Sequence, residues 1–177
     1  MKPLLVERAQ ALAFERSCSD ETGRLLHALA AQRGRGRVGE IGTGVGVGAA
    51  WITSALPPGV SFVTVELDPE RAAAAQALFA DDADVNVLEG DWHGVMPAEA
   101  PFDLLFYDGG GKQRPDLDGE QVFGLLAPGA TLVMDDLTPG RRGGDPVREF
   151  WLGHDALAAV ELQVSPRECV IVGVRTV

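Results

Sequence analysis

A chain of 177 residues with 46% hydrophobic composition is long enough to bury one sizeable core and short for two, so a single domain over 1–177 is expected. Its 26 acids against 15 bases leave a net charge of −11, which repels polyphosphates and anionic lipid surfaces. Nucleic acid is thereby excluded as an expected partner, and the basic clusters Arg33, Arg35, Arg37 and Arg141, Arg142 read as solvated surface.

No run approaches the ~18 apolar residues of a membrane span. The N-terminal Met-Lys-Pro-Leu-Leu-Val is broken by Glu7 and Arg8 before a signal-peptide core can form. No membrane partner and a cytoplasmic location are expected. The cysteines Cys18 and Cys169 make neither metal-ligand spacing nor a disulfide framework, and read as ordinary thiols.

In chain order, Pro3 to Arg16 is helix-prone and amphipathic. Ser19 can cap a second helix that carries Asp20 and Glu21 in its first turn and stops at the Arg/Gly break of 33–36. These helices, 1–36, precede a sheet core over 37–177. Arg37 to Trp51 has the composition of a strand, a bare turn and a helix start. Val38 and Ile41 supply β-branched bulk, while Gly42, Gly44, Gly46 and Gly48 remove every second side chain. Ala49 to Leu56 reads as helix, halted by Pro57-Pro58-Gly59, and Ser61 to Glu66 as a buried strand. That spacing implies a parallel, right-handed crossover.

Asp68 and Pro69 open an alanine-rich helix, Glu70 to Ala80. Val85 to Leu88, Phe102 to Tyr107 and Ala130 to Met134 follow as strands, with Asp118 to Leu126 helical between the last two. A helix near Pro146 to Gly153 then precedes Leu157 to Val164 and Glu168 to Val174. Only Ser165, Pro166 and Arg167 separate these two strands, so they form an antiparallel hairpin. The class is α/β, a doubly wound, mostly parallel sheet that ends antiparallel.

A helix that starts at a glycine turn aims unpaired N–H groups and its positive dipole end at whatever sits there. Gly44, Gly46 and Ala49 also satisfy the dinucleotide spacing G-x-G-x-x-A, which keeps a nicotinamide cofactor open, as does a tight turn with no ligand at all. Glu40, inside the apolar strand before the first glycine, separates the readings because a buried carboxylate wants a cationic partner. Val-Gly-Glu-Ile-Gly-Thr-Gly-Val-Gly resembles the first motif of class I S-adenosylmethionine (SAM)-dependent methyltransferases. The resemblance implies their seven-stranded sheet, a loop of Gly42, Thr43, Gly44 and Gly46 around the methionine end of the cofactor, and Glu40 facing its ammonium.

Ligands in such sheets bind beyond the C-terminal strand ends. Glu66, with Leu67 beside it, closes the second strand and could accept both ribose hydroxyls, or serve only as a capping acid. Asp91 could accept from an adenine amino group and Trp92 offer a flat wall, with core packing as its alternative. His93 reads as surface. The fourth and fifth strands close on Asp108 and on Asp135-Asp136; adjacent strands ~4.8 Å apart would let these three surround Mg²⁺ or Ca²⁺.

At this point the resemblance narrows to cation-dependent O-methyltransferases of the catechol and caffeoyl-coenzyme A type, over about Ser17 to Gly140. It is carried by Ser-Cys-Ser-Asp-Glu-Thr-Gly-Arg-Leu-Leu, Phe-Asp-Leu-Leu-Phe-Tyr-Asp and Leu-Leu-Ala-Pro-Gly-Ala-Thr-Leu-Val-Met-Asp-Asp. It implies Asp108, Asp135 and Asp136 as metal ligands, Asp108 and Lys112 as catalytic, and a homodimer. The family usually has Asn at the position of Asp136, and its lysine follows the first aspartate one residue sooner. Lys112 is accordingly a general base or a mobile surface charge, and Asp108 a metal ligand or a cofactor contact. The expected function is SAM-dependent methylation of a small-molecule hydroxyl. The alternatives are an NAD(P)-dependent oxidoreductase, disfavoured by Glu40 and the closing hairpin, and a SAM-binding protein without catalysis.

Overall fold

The strands over residues 37–41, 61–66 and 102–107 are buried almost throughout, the pattern demanded when helices pack on both faces of a sheet. The structure, a computed structural model, describes residues 2–141 and 143–177; Arg142, half of the second basic cluster, lies outside them. The elements are α1 (Leu4–Gln10), α2 (Asp20–Ala30), β1 (Arg37–Ile41), α3 (Val47–Thr53), β2 (Ser61–Glu66), α4 (Pro69–Leu78) and β3 (Val85–Glu89). They continue with α5 (Trp92–Glu99), β4 (Phe102–Tyr107), α6 (Glu120–Gly124), β5 (Leu126–Leu137), α7 (Pro146–Gly153), β6 (Leu157–Ser165) and β7 (Glu168–Arg175).

The strands form one sheet in the order β3-β2-β1-β4-β5-β7-β6. The first five are parallel, and β7 enters antiparallel between β5 and β6. Leu104 and Phe106 face one core with Leu26, Trp51 and Ile52. Leu105 and Tyr107 face the other with Trp92, Met96 and Trp151. Among the described residues, no helix is long and apolar enough to cross a membrane.

Several elements differ from expectation. The first helix ends at Gln10 rather than Arg16, and the chain turns before Ser19, whose hydroxyl accepts from Thr22 N at 3.1 Å to cap α2. Helix α5 was not anticipated, because Gly94 and Pro97 break its pattern. It is held by its Asp91 cap and by burying Trp92 and Met96 against the sheet. The helix expected over 118–126 is a π-helical turn at Pro115–Gly119 followed by α6, since the chain enters β5 already at Leu126.

Gly23 lets α2 lie against α3: a Cβ there would fall 2.1 Å from the Trp51 indole nitrogen. Helix propensity favours alanine by roughly 0.5–1 kcal/mol, whereas overpacking against a rigid, buried ring costs roughly 1–3 kcal/mol. Gly23→Ala is therefore expected to lower stability by about 1–2 kcal/mol in urea denaturation; an unchanged or raised midpoint would show that the two helices separate freely.

Candidate active site

The C-terminal ends of β1, β2, β3 and β4, with the turn after β5, enclose a cleft of about 940 Å³. The turn after β1 forms its floor. Gly42 and Thr43 donate to Val65 O at 3.0 and 3.1 Å, which ties the turn to β2. Gly42 has φ +93°, and a Cβ there would meet the backbone of Gly109 at 2.7 Å, so only glycine fits. Gly44 also has positive φ, and its N donates to Glu66 Oε2 at 2.8 Å. Gly46 caps α3 and does not line the cleft; its contribution is to the turn of the chain.

Glu40 is 1% exposed and pairs in register with Thr64 of β2, whose hydroxyl donates to its Oε2 at 2.6 Å. Burial, partly offset by that hydrogen bond and reinforced by the charge of Glu66, pushes the carboxyl from 4.5 up to about 8. The acid is thereby held close to its neutral form. Gly48 completes the arrangement, since a Cβ there would approach Glu40 Oε1 to 2.4 Å.

Glu66 is buried and held from two sides: Arg71 Nη2 donates to Oε1 at 2.8 Å, and Gly44 N to Oε2. Arg71 in turn lies 5.1 Å over the Phe14 ring. The expected capping role falls to Asp68, whose Oδ1 accepts from Glu70 and Arg71 N. Leu67 is exposed on the rim of the cleft.

Asp91 caps α5 and accepts from the ring of His93 at 2.7 Å, while His93 Nε2 meets the buried Asp118 at 3.0 Å. His93 is thus no free surface residue. Burial lowers its basicity, but the hydrogen bonds that its ring donates to Asp118 and Asp91 outweigh this and raise its pKa. Its ring stacks 3.8 Å from that of Trp92, whose Nε1 donates to Gly110 O. One face of the tryptophan is therefore already covered. Neither Arg71 nor His93 is marked by sequence, because each is brought to the cleft by an element packing that local spacing does not encode.

At the ends of β4 and β5 the expected convergence of three carboxylates gives way to a different arrangement. Asp135 is buried away from the cleft and accepts from Asp136 N at 2.8 Å; burial first, then the neighbouring acids, raise it to about 6. Asp136 adopts φ +69° and turns its side chain outward. Lys112 sits between it and Asp108, with Nζ 2.8 Å from Asp136 Oδ2 and 3.7 Å from Asp108 Oδ1. Lys112 is only 10% exposed and lies 5.4 Å over the Tyr107 ring, so it is not a mobile surface charge. Burial, opposed by Lys112 and reinforced by Asp135, holds the Asp108 carboxyl well above its ordinary range. Among the described residues, no three of His, Cys, Asp and Glu are grouped to hold a metal ion. Cys18 lines the cleft buried, and its thiol is pushed up by burial and by Asp108 and Glu40, in keeping with an unreactive thiol.

A sheet of this order, with a glycine turn between two acids at its C-terminal edge, defines the class I methyltransferase fold. The chain belongs to the methyltransferase domain family, which matches residues 40–137. It is similar in structure to the O-methyltransferase TomG of Streptomyces achromogenes, involved in tomaymycin synthesis and solved in complex with SAM. The two are 25% identical with a TM-score of 0.83, covering 100% of this chain and 92% of that one. An O-methyltransferase of Bacillus cereus, solved with S-adenosylhomocysteine (SAH), has TM-score 0.82 at 23% identity, covering 99% and 92%. A Mycobacterium tuberculosis protein provisionally named an O-methyltransferase is 32% identical over 130 residues, 70% of this chain. The chain spans 58% of the length of that relative. Family membership decides against the nicotinamide alternative.

The raised pKa of Glu40 makes stability depend on pH. The native state retains a proton that the unfolded chain releases near 4.5, so this group's contribution is complete below that pH and drains as pH rises to about 8. Glu40→Gln is expected to remove a downward slope of roughly 1 kcal/mol per pH unit across that window. Urea denaturation of both forms at several pH values measures it; parallel curves would show that Glu40 ionises freely when folded.

Proposed function

We propose that the chain is a SAM-dependent O-methyltransferase acting on a small-molecule hydroxyl, with residues 37–177 as the catalytic core and residues 1–36 closing one side of the cleft. The observation that carries this reading is the placement of two buried acids, Glu40 and Glu66, on either side of a side-chain-free turn that opens into the same cleft as Asp108 and Lys112. The residues fit SAM by donor chemistry. Glu40 is an acid with only Oε2 engaged, suited to an ammonium; Glu66 is an acceptor for a diol; Trp92 and Asp91 are a wall and a polar edge for a base.

Bound SAM supplies an electrophilic methyl on a sulfonium. The remaining work falls to the chain. The rigid turn, with the Phe14 ring against it, fixes the donor end, and the walls built by Cys18 and the segment after β5 fix the acceptor end. Alignment of this kind can contribute ~7–11 kcal/mol. A positive charge facing the acceptor oxygen lowers its proton affinity, and Lys112 is the cation placed at the strand ends to do so.

Calorimetric titration with SAH is expected to give saturable one-to-one binding, weakened at least about tenfold by Gly44→Val. That Cβ would meet the Phe14 ring at 3.1 Å with φ at +54°. Circular dichroism confirms that the variant is folded. No binding to the unmodified chain refutes the assignment. Binding without turnover over phenols and thiols favours a SAM-binding protein without catalysis.

A further inference from the structure

We infer that Lys112 occupies the place at which a divalent cation would sit between the ends of β4 and β5, so that transfer is cation-independent and the acceptor engages a point charge through one ionised oxygen. The inference rests on the methyltransferase reading and concerns which acceptors the site takes.

Three features of the backbone build this arrangement. Gly109 packs so closely on Ile41 that a Cβ would fall 2.7 Å from its Cγ2, which starts the turn tight against β1. Gly111, at φ +102°, then reverses the chain where a Cβ would crowd Tyr107 and Asp118. The lysine that follows is thrown back over the strand ends, its stem against the Tyr107 ring and its ammonium between Asp108 and Asp136. The left-handed turn at Asp136 completes the pair by pointing that carboxylate at Lys112 and leaving Asp135 to bond the backbone beneath.

A hard divalent cation takes six or more oxygen ligands, from carboxylates, carbonyls and waters, and needs its carboxylates free to turn toward it. Here two carboxylates face the cleft, and an ammonium already stands between them. The charge balance is the same kind that a metal would impose, delivered by a side chain with three donors and no coordination demands. A metal chelates a vicinal pair of oxygens, whereas an ammonium needs one. The class of acceptor this selects is a molecule with a single acidic hydroxyl, for which an adjacent second oxygen is dispensable.

Manganese, followed by electron paramagnetic resonance, tests the site directly. The unmodified chain is expected to show no saturable Mn²⁺ binding up to millimolar concentration. Lys112→Ala, which leaves two facing carboxylates without their cation, should bind Mn²⁺ at least about tenfold more tightly, and Asp108→Asn added to it should abolish the gain. SAH titration of each form, together with its melting temperature, shows that the fold and the cofactor end are intact, and its failure would implicate the methyltransferase reading instead. Saturable Mn²⁺ binding by the unmodified chain overturns the inference, as does a Lys112→Ala form that gains none. With small phenols as acceptors, turnover of a single-hydroxyl compound in the presence of chelator supports it; turnover that disappears with chelator and returns with Mg²⁺ overturns it.

Discussion

The turn after β1 and the turn after β4 touch backbone to backbone, and the rest of the site depends on that contact. Gly42 and Gly109 approach so closely that neither tolerates a Cβ, and Asp108 N donates to Ile41 O at 2.9 Å across the same junction. Because the strands are parallel neighbours, this junction lies at the one edge where both strand ends can present side chains to a ligand. Asp108 is brought within the field of Glu40 as a result, and burial above all holds each of the two carboxyls above its ordinary range. The glycines are thus a geometric condition for the electrostatics.

Acids collected in a low-dielectric cleft repel one another and favour whatever positive charge can reach them. The chain meets this with resident cations, Arg71 on Glu66, Lys112 between Asp108 and Asp136, Arg114 on Asp118 and Arg148 on Asp145, and places none on Glu40 among the described residues. Charge demand is therefore unevenly distributed along the cleft. It is greatest at the turn, where the first strand ends, and lowest at the fifth strand, where the lysine has answered it.

Much of the fold was legible because parallel strands buried on both faces announce themselves as short β-branched runs, and because Pro57-Pro58-Gly59 and Asp68-Pro69 mark boundaries chemically. The glycine turn and Glu40 were legible for a related reason: four alternating glycines and a lone acid break a strong local apolar pattern. Helix α5 was not, since Gly94 and Pro97 mask a helix that tertiary burial of Met96 and Trp92 enforces. The roles of His93, Arg71 and Lys112 were also hidden. A lysine after three glycines looks unrestrained until the left-handed Gly111 and Asp136 show where the chain reverses.

The insertion of β7 between β5 and β6 affects how the chain can be assembled. Strand β7 follows β6 in the chain yet lies inside it in the sheet, so β6 has no place there until Glu168–Arg175 has been made and threaded alongside β5. The backbone edge of β5 stays unpaired until then. A chain cut short by only these residues would lose the link that joins two elements of the sheet, and would expose a long, unpaired strand of the kind that recruits other chains.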